Sequence, residues 1–132
     1  MRKRTPILVI DDERDFLDLV EYNLRLAGFD VHLAASGPEG LREADAMDPP
    51  PEVILLDTTM PDMDGLEVLS EFKHGERTHE IPVFMLTART IMGDVERAFE
   101  VGADDYIPKP VELTRLGQIV RRKLEKARLR AR

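Results

Sequence analysis

The sequence contains no cysteine and no long apolar segment. Without cysteine, the 132-residue chain has no disulfide framework, no thiolate metal site and no cysteine nucleophile. No apolar segment approaches the ~18 residues that a membrane span requires, and the basic N-terminus leads into a run of only four apolar residues. We therefore expect a soluble, cytoplasmic protein that does not contact a membrane.

The composition is that of one globular domain with an uneven charge. Hydrophobic residues make up 42% of the chain, which is enough for a core and excludes a disordered chain. The net charge is −7, but residues 113–132 hold eight basic residues and one acid, a net +7 that leaves −14 for the rest. The basic residues are Arg115, Arg121, Arg122, Lys123, Lys126, Arg128, Arg130 and Arg132.

This basic end is interpreted as a solvated helix terminus, because cations suit the negative end of a helix dipole. The alternative is an arm that binds nucleic acid. No aromatic residue lies among the charges, and the acidic body would repel phosphate, so we expect no direct binding of nucleic acid by this chain.

The hydrophobic pattern predicts an α/β fold. Residues 7–10, 53–56, 83–86 and 106–107 form apolar runs, and residues 29–33 alternate between apolar and polar. Segments with helical periodicity follow each of them, with apolar faces that include Phe16 and Leu17 in the first helix and Ala98 and Phe99 in the fourth. Five alternating strands and helices predict a parallel sheet covered by helices on both faces.

The strand order also follows from the pattern. Continuous apolar strands are buried on both faces, so the first, third and fourth strands should be interior, with the alternating second and the short fifth at the edges. Of the two common doubly wound orders, 2-1-3-4-5 meets this requirement. We therefore predict a flavodoxin-like, five-stranded doubly wound sheet with five flanking helices.

Polar residues follow the strands at one edge of this sheet. Asp11 and Asp12 follow the first strand, Asp57 ends the third, Thr87 ends the fourth, and Lys109 follows the fifth. Each of the first-strand acids could simply cap a helix. Together, however, clustered carboxylates repel one another unless a cation binds, and oxygen ligands of this kind suit Mg²⁺. The combination predicts a magnesium site and phosphate chemistry.

Asp57 is the best-placed nucleophile, because it lies on a central strand and an aspartate can attack phosphorus to form an acyl phosphate. Such a transfer depends on positioning and on charge neutralisation. Mg²⁺ and Lys109 would neutralise the transferred group, and Thr87 would donate a hydrogen bond to it.

Four ordered motifs resemble the receiver domain of bacterial two-component response regulators. They are residues 9–13 (VIDDE), 55–65 (LLDTTMPDMDG), 86–88 (LTA) and 102–110 (GADDYIPKP). The resemblance covers about residues 5–126. It implies that residues 1–126 form a receiver domain and that residues 127–132 extend its last helix, either as a linker or as a natural end.

The resemblance also implies a role for each site residue. Asp57 would be the phosphoacceptor. Asp12 and Asp57 would bind Mg²⁺ directly together with the backbone carbonyl of Thr59, and Asp11 would act through water. Lys109 would contact both the phosphoryl group and the Asp57 carboxylate.

Further positions are implied for switching and tuning. Thr87 and Tyr106 would form a switch pair, in which Thr87 moves toward the phosphoryl group and Tyr106 turns inward. The Lys109–Pro110 bond would be cis. Thr59 and Arg89 would tune how fast water reaches the acyl phosphate.

The implied partners are proteins. A sensor histidine kinase or a histidine phosphotransfer protein would dock near the first helix and donate the phosphoryl group. A downstream protein, an output domain or a second copy would read the face formed by the fourth helix, the fifth strand and the fifth helix. The domain would assist only its own phosphorylation and dephosphorylation and would not otherwise be an enzyme.

Three alternative interpretations of the sequence remain. The chain could be a fragment of a longer regulator whose output domain is absent. An aspartate-based phosphatase of the haloacid dehalogenase kind would need a second aspartate where Thr59 stands, and room for a cap domain. A flavodoxin would need a phosphate-binding loop where the sequence has Asp11, Asp12 and Glu13, which would repel the phosphate of the flavin.

Overall fold

The computed structural model describes residues 3–57, 64–88 and 92–131, without the side chains of residues 92–94. Strands and helices alternate along the described chain, as the hydrophobic pattern predicts. The strands are β1 (Thr5–Ile10), β2 (Phe29–Ala34), β3 (Val53–Asp57), β4 (Val83–Thr87) and β5 (Asp105–Pro108). The helices are α1 (Arg14–Leu26), α2 (Gly37–Ala46), α3 (Gly65–His74), α4 (Met92–Val101) and α5 (Leu116–Arg130).

The five strands form one parallel sheet in the order β2-β1-β3-β4-β5. The predicted order is therefore confirmed, with β2 and β5 at the edges. The pairing sets the heights of the strand ends: Ile10 lies beside Leu56, Asp57 beside Leu86, and Thr87 beside Pro108. The carboxyl ends of the three central strands and of β5 consequently meet along one rim.

The core lies on both faces of the sheet, which explains the continuous apolar strands. Alternate residues of each strand point to opposite faces. In β1, Leu8 and Ile10 pack with α2 and α3 residues on one face, whereas Ile7 and Val9 pack with α1 and α5 residues on the other. Each face of the central strands is thus buried under helices.

Local signals account for several helix boundaries. The Ser36 hydroxyl accepts the backbone N–H of Glu39 at 3.2 Å and so caps the start of α2. Gly28, after α1, has a φ of 93°, a conformation that glycine adopts without strain. The Asp64 carboxylate caps α3 by accepting the N–H of Leu66.

Two features differ from the sequence analysis. Phe99, assigned to the buried face of α4, is 43% exposed, while Ala98 beside it is buried. The basic end of the chain is also more than a solvated terminus. Helix α5 continues to Arg130, whose guanidinium donates to the Asp104 carbonyl at 3.0 Å, and Arg128 pairs with Glu52.

Two arginines cover backbone acceptors at the open side of β2. The carbonyls of Gly28 and Ala34 accept N–H groups along β1, so carbonyls of the intervening odd-numbered residues face away from β1. Arg4 donates to the carbonyl of Phe29 at 3.2 Å, and Arg25 donates to that of Val31 at 3.3 Å.

In the described ranges, no helix combines the length and the apolar character that crossing a membrane would require.

Candidate functional site

The predicted polar residues meet at the carboxyl end of the sheet. Asp11 follows β1, and its N–H donates to the Ala34 carbonyl of β2. Asp57 is the last residue of β3. Thr87 is the last residue of β4, and its carbonyl accepts the N–H of Lys109 at 2.7 Å. The backbone of the parallel sheet therefore brings residues that are far apart in sequence to one rim.

Three carboxylates form a cluster at this rim. Oxygen atoms of Asp11, Asp12 and Asp57 lie within 4.8 Å of one another. Asp11 and Asp57 are buried, with 0% and 5% exposure, whereas Asp12 is exposed. Asp11 accepts the N–H of Glu13 at 3.0 Å, which fixes its carboxylate at the start of α1. Asp11 is not the N-cap residue of α1. That position is Glu13, whose side chain makes no capping hydrogen bond.

Lys109 brings a positive charge to the cluster. Its Nζ atom lies 2.8 Å from Asp11 Oδ2 and 3.6 Å from Asp57 Oδ1. The contact with Asp57 was expected, but the shorter contact is with Asp11. The Lys109–Pro110 bond is cis, as the resemblance implies, and the Asp48–Pro49 bond is cis as well.

The acids hold Lys109 in its charged form. Burial lowers the pKa of the Lys109 ammonium, because a charge loses solvation in the protein. The hydrogen bond to Asp11 and the charges of Asp57, Asp11 and Glu13 outweigh burial, so the pKa is raised above its ordinary value of 10.5. The ammonium therefore stays protonated at neutral pH.

The cluster fits a hard divalent cation. Three carboxylates face one ammonium, so the described pocket retains an excess of negative charge. Carboxylate oxygens at this spacing are the ligands that Mg²⁺ prefers, and Mg²⁺ usually takes one or two carboxylates while it keeps several waters. The side chains that could hold the ion are those of Asp11, Asp12 and Asp57.

Thr87 and Tyr106, the two residues predicted to form a switch pair, differ in burial. Thr87 is 4% exposed, at the end of β4 next to the acid cluster. Tyr106 is 36% exposed, on the edge strand β5, and lies edge-to-face against Phe99 with ring centroids 6.5 Å apart. Lys123 Nζ lies 5.9 Å from the Tyr106 ring. The structure thus brings Thr87 to the acidic rim and leaves Tyr106 facing outward among residues of α4 and α5.

Thr59 and Arg89, assigned to metal binding and tuning, lie outside the described residues. One neighbour of the pocket was not predicted from the sequence. Lys109 Nζ lies 4.6 Å from the centroid of the Phe16 ring, in the first turns of α1. The only signal in the sequence was the position of Phe16 shortly after the first-strand acids, and the helical pattern assigned it to the core.

Comparisons with known proteins agree with this geometry. A family model described as the response regulator receiver domain matches residues 7–121. The DNA-binding dual master transcriptional regulator RpaA of Synechocystis is 42% identical over 120 residues, which cover 88% of this chain and 49% of that protein. The transcriptional regulatory protein KdpE of Mycobacterium tuberculosis is 41% identical over 129 residues, covering 95% of this chain and 55% of that protein. The chain spans about half the length of these curated relatives.

Solved structures are similar as well. A CheY-like receiver domain protein from Methanospirillum hungatei superposes with a TM-score of 0.84 at 28% identity, covering 96% of this chain and 98% of that chain. The receiver domain of a sensor histidine kinase from Pseudomonas aeruginosa, with magnesium coordinated in its active-site cleft, gives a TM-score of 0.81 at 30% identity, covering 92% and 98%. These matches favour neither the phosphatase nor the flavodoxin alternative.

Proposed function

The chain belongs to the family of response regulator receiver domains, and we propose that Asp57 is its phosphoacceptor in a two-component phosphorelay. The observation that supports this assignment best is the surroundings of Asp57. It is buried at the end of a central strand, with two further carboxylates and the ammonium of Lys109 beside it. A receiver domain is a signalling module, and this pocket would serve only its own phosphorylation and dephosphorylation.

The phosphoryl group would come from phosphohistidine on a sensor histidine kinase or a histidine phosphotransfer protein. A carboxylate oxygen of Asp57 attacks phosphorus, a P–O bond forms, and the P–N bond breaks with its electron pair moving to the imidazole nitrogen. Lys109, already 3.6 Å from Asp57, is positioned to neutralise charge on the transferred group. The Thr87 hydroxyl would donate a hydrogen bond to it once the group is in place.

Mg²⁺ is the cofactor that the donor set supports. Asp12 and Asp57 would bind it directly with the backbone carbonyl of Thr59, and Asp11 would act through water. When bound, the ion would supply positive charge beside the phosphoryl oxygens. Asp11 already serves a second purpose without the ion, since its carboxylate holds Lys109 at 2.8 Å.

Thr87 and Tyr106 would transmit the signal. Phosphorylation draws Thr87 toward Asp57, and the outward Tyr106 then turns into the space that Thr87 leaves. This changes the face of α4, β5 and α5, where Tyr106 now contacts Phe99. A downstream protein, an output domain or a second copy in a homodimer would read that face.

We propose that residues 1–126 form the receiver domain and that residues 127–132 extend its last helix. The curated relatives are about twice as long as this chain, which supports a place for it beside an output domain in a longer regulator. A kinase would dock near α1, next to the pocket. We propose a cytoplasmic location, where such phosphorelays operate.

Acetyl phosphate provides a direct test, because it donates a phosphoryl group without a cognate kinase. With Mg²⁺ present, the wild-type chain should gain one phosphoryl group, detectable by intact mass, and Asp57→Asn should gain none. Glu71→Gln, a matched change at an exposed α3 position, should behave as the wild type. Incorporation into Asp57→Asn would move the acceptor to another residue.

Beryllofluoride, a mimic of the phosphoryl group, tests the switch. Its addition with Mg²⁺ should shift the amide resonances of residues 83–88 and 105–110, and those of β2 should move far less. Unmoved resonances at Thr87 and Tyr106 would refute the proposed switch while leaving the phosphoacceptor assignment intact.

A further inference from the structure

The ammonium of Lys109 has three neighbours of two kinds at the pocket. Asp11 Oδ2 lies at 2.8 Å, Asp57 Oδ1 at 3.6 Å, and the centroid of the Phe16 ring at 4.6 Å. The first two are carboxylates of the acid cluster. The third is a neutral aromatic face at a distance typical of a cation–π interaction.

Phe16 contacts both the apolar core and the Lys109 ammonium at the pocket. It is partly buried and packs against the apolar cluster beneath α1 and α5. The neighbouring α1 residues Leu17, Val20 and Leu24 are fully buried and anchor the helix. Phe16 therefore adds a fixed aromatic surface at the pocket edge, in addition to the packing that α1 receives from the other three.

The two kinds of neighbour respond differently to events in the pocket. A cation held directly by Asp57 and through water by Asp11 would compete with Lys109 for the charge of both carboxylates, and phosphorylation would convert Asp57 from a carboxylate into an acyl phosphate. The Phe16 ring carries no net charge and takes no part in either event. Its attraction for the ammonium thus persists when that of the carboxylates changes.

We propose that Phe16 is a positioning residue for Lys109, holding the ammonium over the pocket when Asp11 and Asp57 are engaged by a cation or a phosphoryl group. This inference rests on the proposed roles of Asp57 and Lys109 in phosphoryl transfer. Phe16 itself does not touch the reacting atoms. It acts by limiting the positions that the long, flexible lysine side chain can adopt.

Two variants of the full chain distinguish the effect of the aromatic ring of Phe16 from the effect of its apolar volume. Phe16→Leu retains an apolar side chain that can pack on the same cluster but removes the aromatic face. Phe16→Tyr retains the face. With acetyl phosphate and Mg²⁺, we expect the phosphorylation rate to fall about three- to tenfold in Phe16→Leu and to stay within about twofold in Phe16→Tyr.

A second measurement reports on Lys109 without any phosphorylation. In protein with isotope-labelled lysine, the protons beside the Lys109 ammonium should show the ring-current shift of the aromatic face. Lys109→Met identifies this resonance by its loss. The shift should disappear in Phe16→Leu and persist in Phe16→Tyr, both in a chelator and with Mg²⁺.

Equal rates in the wild type and Phe16→Leu, or an equal loss in both variants, would overturn the proposal. So would a Lys109 resonance that does not move in Phe16→Leu. If the wild type fails to incorporate phosphate, or if Asp57→Asn still incorporates it, the proposed function fails instead. The Lys109 resonance would then still decide whether Phe16 holds the ammonium.

Discussion

Replacing Asp57 with asparagine should make the metal-free protein more stable, because a buried carboxylate beside two other carboxylates is unfavourable for folding. The carboxylates of Asp11 and Asp12 repel that of Asp57. At 4.8 Å, the upper limit of their separations, each repulsion is about 3.5 kcal/mol at an effective dielectric constant of ~20, and water weakens the repulsion from the exposed Asp12. The attraction to Lys109 at 3.6 Å is about 4.6 kcal/mol on the same scale. The Asp57 carboxylate is only 5% exposed, so its desolvation also disfavours the folded wild type. Together these effects predict that Asp57→Asn raises the free energy of unfolding by about 2 kcal/mol.

Urea and thermal unfolding, followed by far-ultraviolet circular dichroism at pH 7, measure this gain. In a chelator, Asp57→Asn should raise the midpoint temperature by roughly 5–10 °C. Mg²⁺ at about 100 times its dissociation constant should stabilise the wild type by about 2.7 kcal/mol and Asp57→Asn by much less. The stability advantage of Asp57→Asn over the wild type should therefore narrow or reverse when Mg²⁺ is added.

Glu71→Gln is the matched control, since it removes a carboxylate from an exposed position on α3, and its effect should stay within about 0.5 kcal/mol. Two results would refute the reasoning. One is an Asp57→Asn variant that is less stable than the wild type in chelator. The other is an equal response of both proteins to Mg²⁺.

Two further predictions concern stability. Because the folded-state pKa of Lys109 is raised, its pairing with the carboxylates stabilises the fold fully below pH 10.5, and this stabilisation is lost as the pH rises through the folded pKa. In chelator, the difference in unfolding free energy between the wild type and Lys109→Met should therefore be constant up to about pH 10 and shrink above it. An advantage that grows with alkaline pH would contradict the pairing with Asp11. Gly117 faces α1, where an added Cβ would lie 2.4 Å from Ala27 Cβ, so Gly117→Ala should lower the free energy of urea unfolding by about 1–3 kcal/mol. Gln118→Ala, exposed on the same helix, is the control, and an equal effect in both would exclude the clash as the cause.

The strand order could be predicted because the central strands are continuously apolar, whereas the edge strands are alternating or short. Strands buried on both faces must be central, which fixed the order and placed Asp11, Asp57 and Lys109 at one rim. The preference of Lys109 for Asp11 over Asp57 could not be predicted. It depends on a difference of 0.8 Å between two distances, 2.8 and 3.6 Å, that only the folded backbone determines.

Helical periodicity has a similar limit. It identifies which residues share a side of a helix, but not where the neighbouring element ends. Phe16 and Phe99 were therefore both assigned to the core, although one borders the pocket and the other is 43% exposed beside Tyr106. The charge of the last helix likewise indicated solvation and gave no means of pairing Arg128 with Glu52.

The arginines at the outer side of β2 have a consequence for how copies of this protein meet. A sheet edge with free acceptors is a template onto which a foreign strand can add, a route to aggregation. Arg4 and Arg25 already occupy the carbonyls of Phe29 and Val31, and their bulk and charge stand in the path of an incoming chain. The β2 edge is therefore a poor template for strand addition, and contacts between copies of the domain through this side of the sheet are disfavoured.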